Sequence, residues 1–205
     1  MSAQAAAAPA LEAFTRRVGP GRALAGDAER VARACYDMAV RFHRGGKLVV
    51  FGNGGAATDG HHVAVEFIHP VIVGKRALPA MALTNDVATL TGVARTQGFD
   101  EVYAAQLELL ADSRDIALGI SPDGQCRNVL RGLEVAHGRG LLTVALTGGD
   151  GGEIARSPAV DHALVAHSEE PQVVKEIHVT IYHILWELVH VFFEQPGLLD
   201  PEVVR

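Results

Sequence analysis

Cysteine is scarce in this sequence, and that scarcity excludes a disulfide-stapled scaffold. The two cysteines, Cys35 and Cys126, lie far apart and make neither a paired framework nor a metal motif, which suits a reducing cytoplasm. Long hydrophobic runs are also missing. None approaches the ~18 to 20 residues that a membrane span requires, so no membrane association is expected. Lysine and arginine form no cluster and the formal net charge is −6, which argues against direct binding of nucleic acid. The N-terminal stretch MSAQAAAAPALEAF carries Glu12 and lacks a basic start before an apolar core, so it reads as a leader rather than a signal peptide. What is abundant is core-forming material. With 48% hydrophobic and 20% charged residues in 205, the chain suits one domain with no need of staples.

The stretch Phe51 to Glu66, FGNGGAATDGHHVAVE, organises the rest. Lys47 to Phe51 (KLVVF) is an apolar run of the kind that makes a buried parallel strand, and Asn53, Gly54 and Gly55 then form a turn into a helix. Free N–H groups and the positive dipole end at such a helix start favour an anionic or polyhydroxylated ligand. On that helix His62 and Glu66 are four apart and share a face. The same spacing also serves an ordinary solvated helix face, so it needs support from elsewhere in the chain.

In order, a leader and a short helix interrupted at Gly19, Pro20 and Gly21 occupy residues 1–26. Asp27 then caps a helix whose apolar face is Val31, Cys35, Met38, Ala39 and Phe42. After the His62 helix come a strand near Ala80–Leu83, a helix from Val87 to Thr96 capped by Thr84, Asn85 and Asp86, an amphipathic helix, and the strand DIALGIS. The pattern recurs with RNVLRGLEVAHGRG as helix, LLTVALTG as strand, a short helix at Glu153–Arg156 and a strand near DHALVA. A long helix runs from Gln172 to Gln195, and residues 197–205 form a tail. Strands alternating with helices at this spacing specify an α/β three-layer sandwich: a parallel sheet with helices on both faces and a flavodoxin-like, Rossmann-like topology over residues 27–196. Ligands of such sheets bind at the carboxyl ends of the strands, where the turns after KLVVF, MAL, GIS and VALTG collect.

Together GNGG, Asp59, His62 and Glu66, then LTND, GIS before a helix, LTGGDGG and the terminal KEIHVTIYH resemble the SIS (sugar isomerase) domain of phosphoheptose isomerases over about residues 28–193. The resemblance implies a homotetramer with sites between subunits and the isomerisation of sedoheptulose 7-phosphate. It further implies Glu66 and His183 as catalytic residues, and His62, Glu66 and His183 as ligands of zinc, with the fourth position open. Without the family, His183 reads equally as a core or interface histidine.

The substrate-binding positions carried over are Asn53, Gly54, Gly55, Arg95, Ser121, Asp123, Gly124, Cys126 and Lys175, and several depart from the family pattern. Lys175 stands where a glutamine is expected, and an ammonium cannot ligate a cation while protonated; next to Glu66 it would form an ion pair or steady an enediolate. The phosphate loop, STSGNS in the family, reads Ser121, Pro122, Asp123, Gly124, Gln125, Cys126. Pro122 removes an N–H, and Asp123 places a negative charge near a dianion, worth roughly 4 kcal/mol of repulsion at ~4 Å and an effective dielectric of about 20. Arg95 stands at a substrate position and could return a cation. These departures leave open a non-catalytic SIS protein that binds a sugar derivative or a protein partner, like the DnaA initiator-associating protein, and an isomerase or lyase for an unphosphorylated or amine-bearing ligand. Cys126, before a helix start, reads as an ordinary thiol or as an activated one.

Overall fold

The computed structural model describes residues 3–199. In chain order the elements are α1 (Ala3–Gly26), α2 (Ala28–His43), β1 (Leu48–Gly52), α3 (Gly55–Ile68), β2 (Ala80–Ala82), α4 (Val87–Gln97), a 3-10 turn (Phe99–Glu101), α5 (Ala104–Leu110), β3 (Ile116–Ser121), α6 (Arg127–Gly138), β4 (Leu142–Gly148), α7 (Gly152–Arg156), β5 (His162–Ala166), α8 (Pro171–Phe193) and α9 (Pro196–Leu199).

All five strands are parallel, in the order β2-β1-β3-β4-β5, which is the flavodoxin-like order. β1, β3 and β4 are buried along their whole length, as apolar runs covered on both faces must be. Successive residues feed opposite layers. Leu48, Val50, Ile116, Leu118, Val144 and Leu146 pack with α2, α3 and α8, while Val49, Phe51, Ala117 and Ala145 pack with α5 and α6. The apolar face expected on α2 is the buried one, Val31, Cys35, Met38, Ala39 and Phe42, with Ala34 added.

Two local expectations are corrected. The N-terminal helix is not short or broken, because α1 runs 24 residues through Pro9 and Pro20. Tertiary contacts override the local breakers: Leu24 enters the core, and Arg17 grips Glu176 of α8 with two hydrogen bonds of 2.6 and 2.7 Å. Asp27 occupies the cap position of α2, but its carboxylate turns to His167 Nε2 at 3.0 Å and makes no cap bond. The segment after Gln195 begins as α9; residues 1, 2 and 200–205, part of the expected leader and tail, lie outside the described residues. Among the described residues no helix is long and apolar enough to cross a membrane.

Candidate active site

α3 and α8 meet along a stripe of polar contacts. Asp59, His62 and Glu66 are spaced three and four apart on α3, and Lys175, Tyr182 and Trp186 are spaced seven and four apart on α8, so each set lines one face. Lys175 Nζ lies 2.6 Å from Asp59 Oδ1, Tyr182 Oη 2.9 Å from His62 Nδ1, and Trp186 Nε1 donates to the Glu66 carbonyl at 2.9 Å. The contacts follow the same order along both helices, which therefore run parallel here. His183, next to Tyr182, is exposed, and its ring stands 5.3 Å from that of His62 at 80°.

The three residues expected to act together do converge. His62 Nε2 is 3.2 Å from Glu66 Oε1, and one donor atom from each of His62, Glu66 and His183 lies within 4.8 Å of the others. The Glu66 side chain is 14% exposed. Burial, with the nearby charges of Asp59 and Glu66, pushes the Tyr182 phenol up to about 12, so it stays an O–H group at neutral pH.

Lys175 is the main correction. It does not pair with Glu66: its ammonium is held by Asp59, whose side chain is 9% exposed, and by the carbonyl of Gly55 at 3.2 Å. A carboxylate buried one helical turn before His62 outcompetes Glu66 for the cation. Lys175 thus sits over the first turn of α3, beside the Asn53–Gly55 turn.

That turn is locked from the other face of the sheet. The side-chain amides of Asn53 and Asn128 exchange hydrogen bonds of 2.8 and 2.9 Å, and Tyr103 Oη donates within reach of Asn53 Oδ1 (2.9 Å) and the Gly52 carbonyl (2.5 Å). Asn53 and Gly54 line a cavity of about 400 Å³ with Thr84, Leu90, Phe99 and Tyr103. His61 faces this cavity, its Nε2 2.7 Å from Thr84 Oγ1, while its neighbour His62 faces α8, as the 100° turn per residue demands. Arg95 stands exposed on α4, outside the cavity lining.

In the loop after β3, the Asp123 carboxylate bonds within its own loop while the residue stays exposed. Its Oδ1 accepts from Gln125 N at 2.9 Å and faces Ser121 Oγ at 3.2 Å, with Cys126 Sγ at 4.0 Å; Cys126 N in turn donates to Ser121 Oγ at 3.2 Å. Gly124 is required here, because at φ +66° a Cβ would fall 2.0 Å from the Gly151 carbonyl oxygen of the neighbouring loop. The Gln125 N–H and the Ser121 hydroxyl are thus engaged by the protein's own carboxylate.

Residues 21–148 match the SIS domain family. A phosphoheptose isomerase from Thermodesulfovibrio yellowstonii is 41% identical over 161 residues, covering 78% of this chain and 79% of that protein. The chain belongs to the phosphoheptose isomerase family of SIS-domain proteins. Two solved phosphoheptose isomerases share its fold. The one from Francisella tularensis superposes with a TM-score of 0.83 at 28% identity, covering 93% of this chain and 99% of that one. The one from Neisseria gonorrhoeae gives 0.80 at 28% identity, covering 88% and 96%. The SIS match ends with β4, so α8, which brings Lys175, Tyr182 and His183 to the candidate site, lies beyond it.

Reading the sequence alone missed three partners: Asn128, Tyr103 and Tyr182. Asn128 and Tyr103 lie 75 and 50 positions from Asn53, and Tyr182 lies 120 from His62. No local signal links such distances. The one usable hint was a tyrosine beside His183 on a helix otherwise read as packing surface.

Proposed function

We propose that this protein is a sugar-phosphate aldose–ketose isomerase working through a cis-enediolate, with sedoheptulose 7-phosphate as substrate. The carrying observation is the convergence of His62, Glu66 and His183 from α3 and α8, in a chain 41% identical to a phosphoheptose isomerase. Glu66 removes the proton on the carbon α to the carbonyl and returns it to the neighbouring carbon; His183, exposed and next to it, moves protons between the two substrate oxygens. The Asn53–Gly55 turn and Ser121–Cys126 loop, at the carboxyl ends of β1 and β3, receive the polyol and its phosphate, and Lys175 supplies a half-exposed cation beside them.

The donor set also fits zinc. Two imidazoles and one carboxylate with atoms within 4.8 Å of one another are ligands that zinc favours, and the ammonium at position 175 adds no fourth. A zinc held by His62, Glu66 and His183 would act as a Lewis acid on the substrate carbonyl. We further propose a cytoplasmic homotetramer with sites between subunits. Supporting this, α1 presents Leu11, Phe14 and Val18 on one face at 48–73% exposure, an apolar stripe suited to a second copy.

A second reading rests on the Asp123 loop. With the Gln125 amide and the Ser121 hydroxyl bonded to Asp123, it favours a diverged SIS protein that binds a sugar derivative or a partner without isomerising it. Proton exchange separates the two. Incubation with sedoheptulose 7-phosphate in D₂O, with and without zinc, should place deuterium on the substrate α-carbon by NMR. Glu66→Gln should lower that exchange by about a hundredfold or more while the fold persists. No exchange by the folded wild type would favour the binding protein.

A further inference from the structure

We propose that Trp186 is a positioning residue of the candidate site: its indole N–H stands in for the backbone amide that Pro70 lacks, closes the last turn of α3 and so seats Glu66 against the helix that carries His183. In an α-helix the carbonyl of residue i accepts from the amide of residue i+4, so the partner due to Glu66 is residue 70. Residue 70 is proline, which has no N–H and drives the residue before it out of the helical conformation. His69 accordingly stands at φ −130° and ψ 75°, and α3 stops at Ile68. The carbonyls of that turn are then satisfied from different sources. Val65 accepts from His69 N and Phe67 from Leu78 N, both at 2.8 Å, whereas Glu66 accepts from Trp186 Nε1 at 2.9 Å. An indole N–H only donates, and with Trp186 6% exposed it needs an acceptor as much as the carbonyl needs a donor.

The bond reaches across the site. Glu66 lies in the last turn of α3, where a helix with a missing hydrogen bond frays most readily, and Trp186 lies three residues beyond His183 on α8. One contact therefore ties the backbone of the proposed base to the helix bearing the proposed proton shuttle. The indole is itself fixed in place. Its ring lies 4.4 Å from that of His190, whose nitrogens lie 2.8 and 2.9 Å from the carbonyl oxygens of Trp186 and Arg76. Because Trp186 bonds the main chain of Glu66, the carboxylate is left free for substrate or metal. Trp186 acts through that backbone and does not touch the reacting atoms.

The kinetic part of the test rests on the isomerase reading; the hydrogen-exchange part does not. Trp186 is the only tryptophan in the sequence, so growth on 3-benzothienylalanine replaces it alone, putting sulfur where the indole has N–H and keeping the ring shape. In full-length ¹⁵N-labelled protein the single indole signal of the wild type should exchange with solvent far more slowly than that of free tryptophan. In the isostere protein the amides of His69 and Leu78 should exchange about tenfold faster or more, while amides remote from α3 keep their rates. A wild-type indole that exchanges like free tryptophan, or His69 and Leu78 amides indifferent to the isostere, overturns the proposal. In turnover of sedoheptulose 7-phosphate, the isostere and Trp186→Phe should both lower kcat about tenfold with KM unchanged. A fully active isostere beside an impaired Trp186→Phe means a packing role and also overturns it. A wild type with the expected exchange rates but no turnover counts against the isomerase reading and supports the bond that closes α3.

Discussion

Lys175 and His178, three residues apart on α8, illustrate opposite treatments of a titratable group. Lys175 is ion-paired with Asp59, which is buried beside it. Replacing it with methionine strands that carboxylate, and the expected loss of stability is roughly 1–2 kcal/mol, discounted because the ammonium is half exposed. Urea unfolding checks this, and adding Asp59→Asn should recover most of the loss. His178 is 1% exposed and donates Nε2–H to the Thr147 carbonyl at 2.9 Å. Burial lowers its pKa below the ordinary value, so the unfolded chain takes up a proton first as the pH falls. Its contribution is therefore complete above about pH 6.5 and is lost as the pH drops towards the folded-state value. The urea midpoint of the wild type should fall across that window, and His178→Gln should flatten this part of the profile.

Elements are held in place by small residues as much as by large ones. α6 lies close on β3 because Gly119 has no side chain; a Cβ there would stand 2.9 Å from Val129 Cγ1 and 3.0 Å from Leu133 Cδ1. Gly119→Ala should cost roughly 1–3 kcal/mol through overpacking, seen as a lower urea midpoint with an unchanged slope. α1 makes the complementary point. Its Gly19-Pro20-Gly21 stretch looks like a break on local propensity, yet the helix continues, docked on α8 by Arg17–Glu176 and on the residue that caps α8 by Arg16–Glu170.

For the whole molecule, the exposed stripe of α1 is the feature a lone chain leaves unexplained. If it joins copies of this protein, Phe14→Glu should shift the sedimenting species to smaller mass at micromolar concentration while the circular dichroism spectrum keeps its helical content. An unchanged mass would remove α1 from the assembly surface. Acid should also loosen the whole fold. Asp86 and Asp150, bonded to helix-start amides, and Glu176, bonded to Arg17, are all held below the usual carboxylate range, so the stability they contribute is lost as the pH falls through the acid region.

The sequence by itself determined the α/β class, because buried parallel strands must be apolar throughout and amphipathic helices must repeat every three to four residues; KLVVF, DIALGIS and LLTVALTG could hardly be anything else. It determined the His62–Glu66 pair too, since four residues is one helical turn, and the resemblance along the last helix pointed to His183. Only the tertiary structure decided which carboxylate Lys175 meets, which hydroxyl lies against His62 and what steadies Asn53. Those contacts join positions 50 to 120 apart, and a side chain's partner at such range is chosen by how helices and sheet pack, by which carboxylate is buried nearest, and not by anything periodic in the chain.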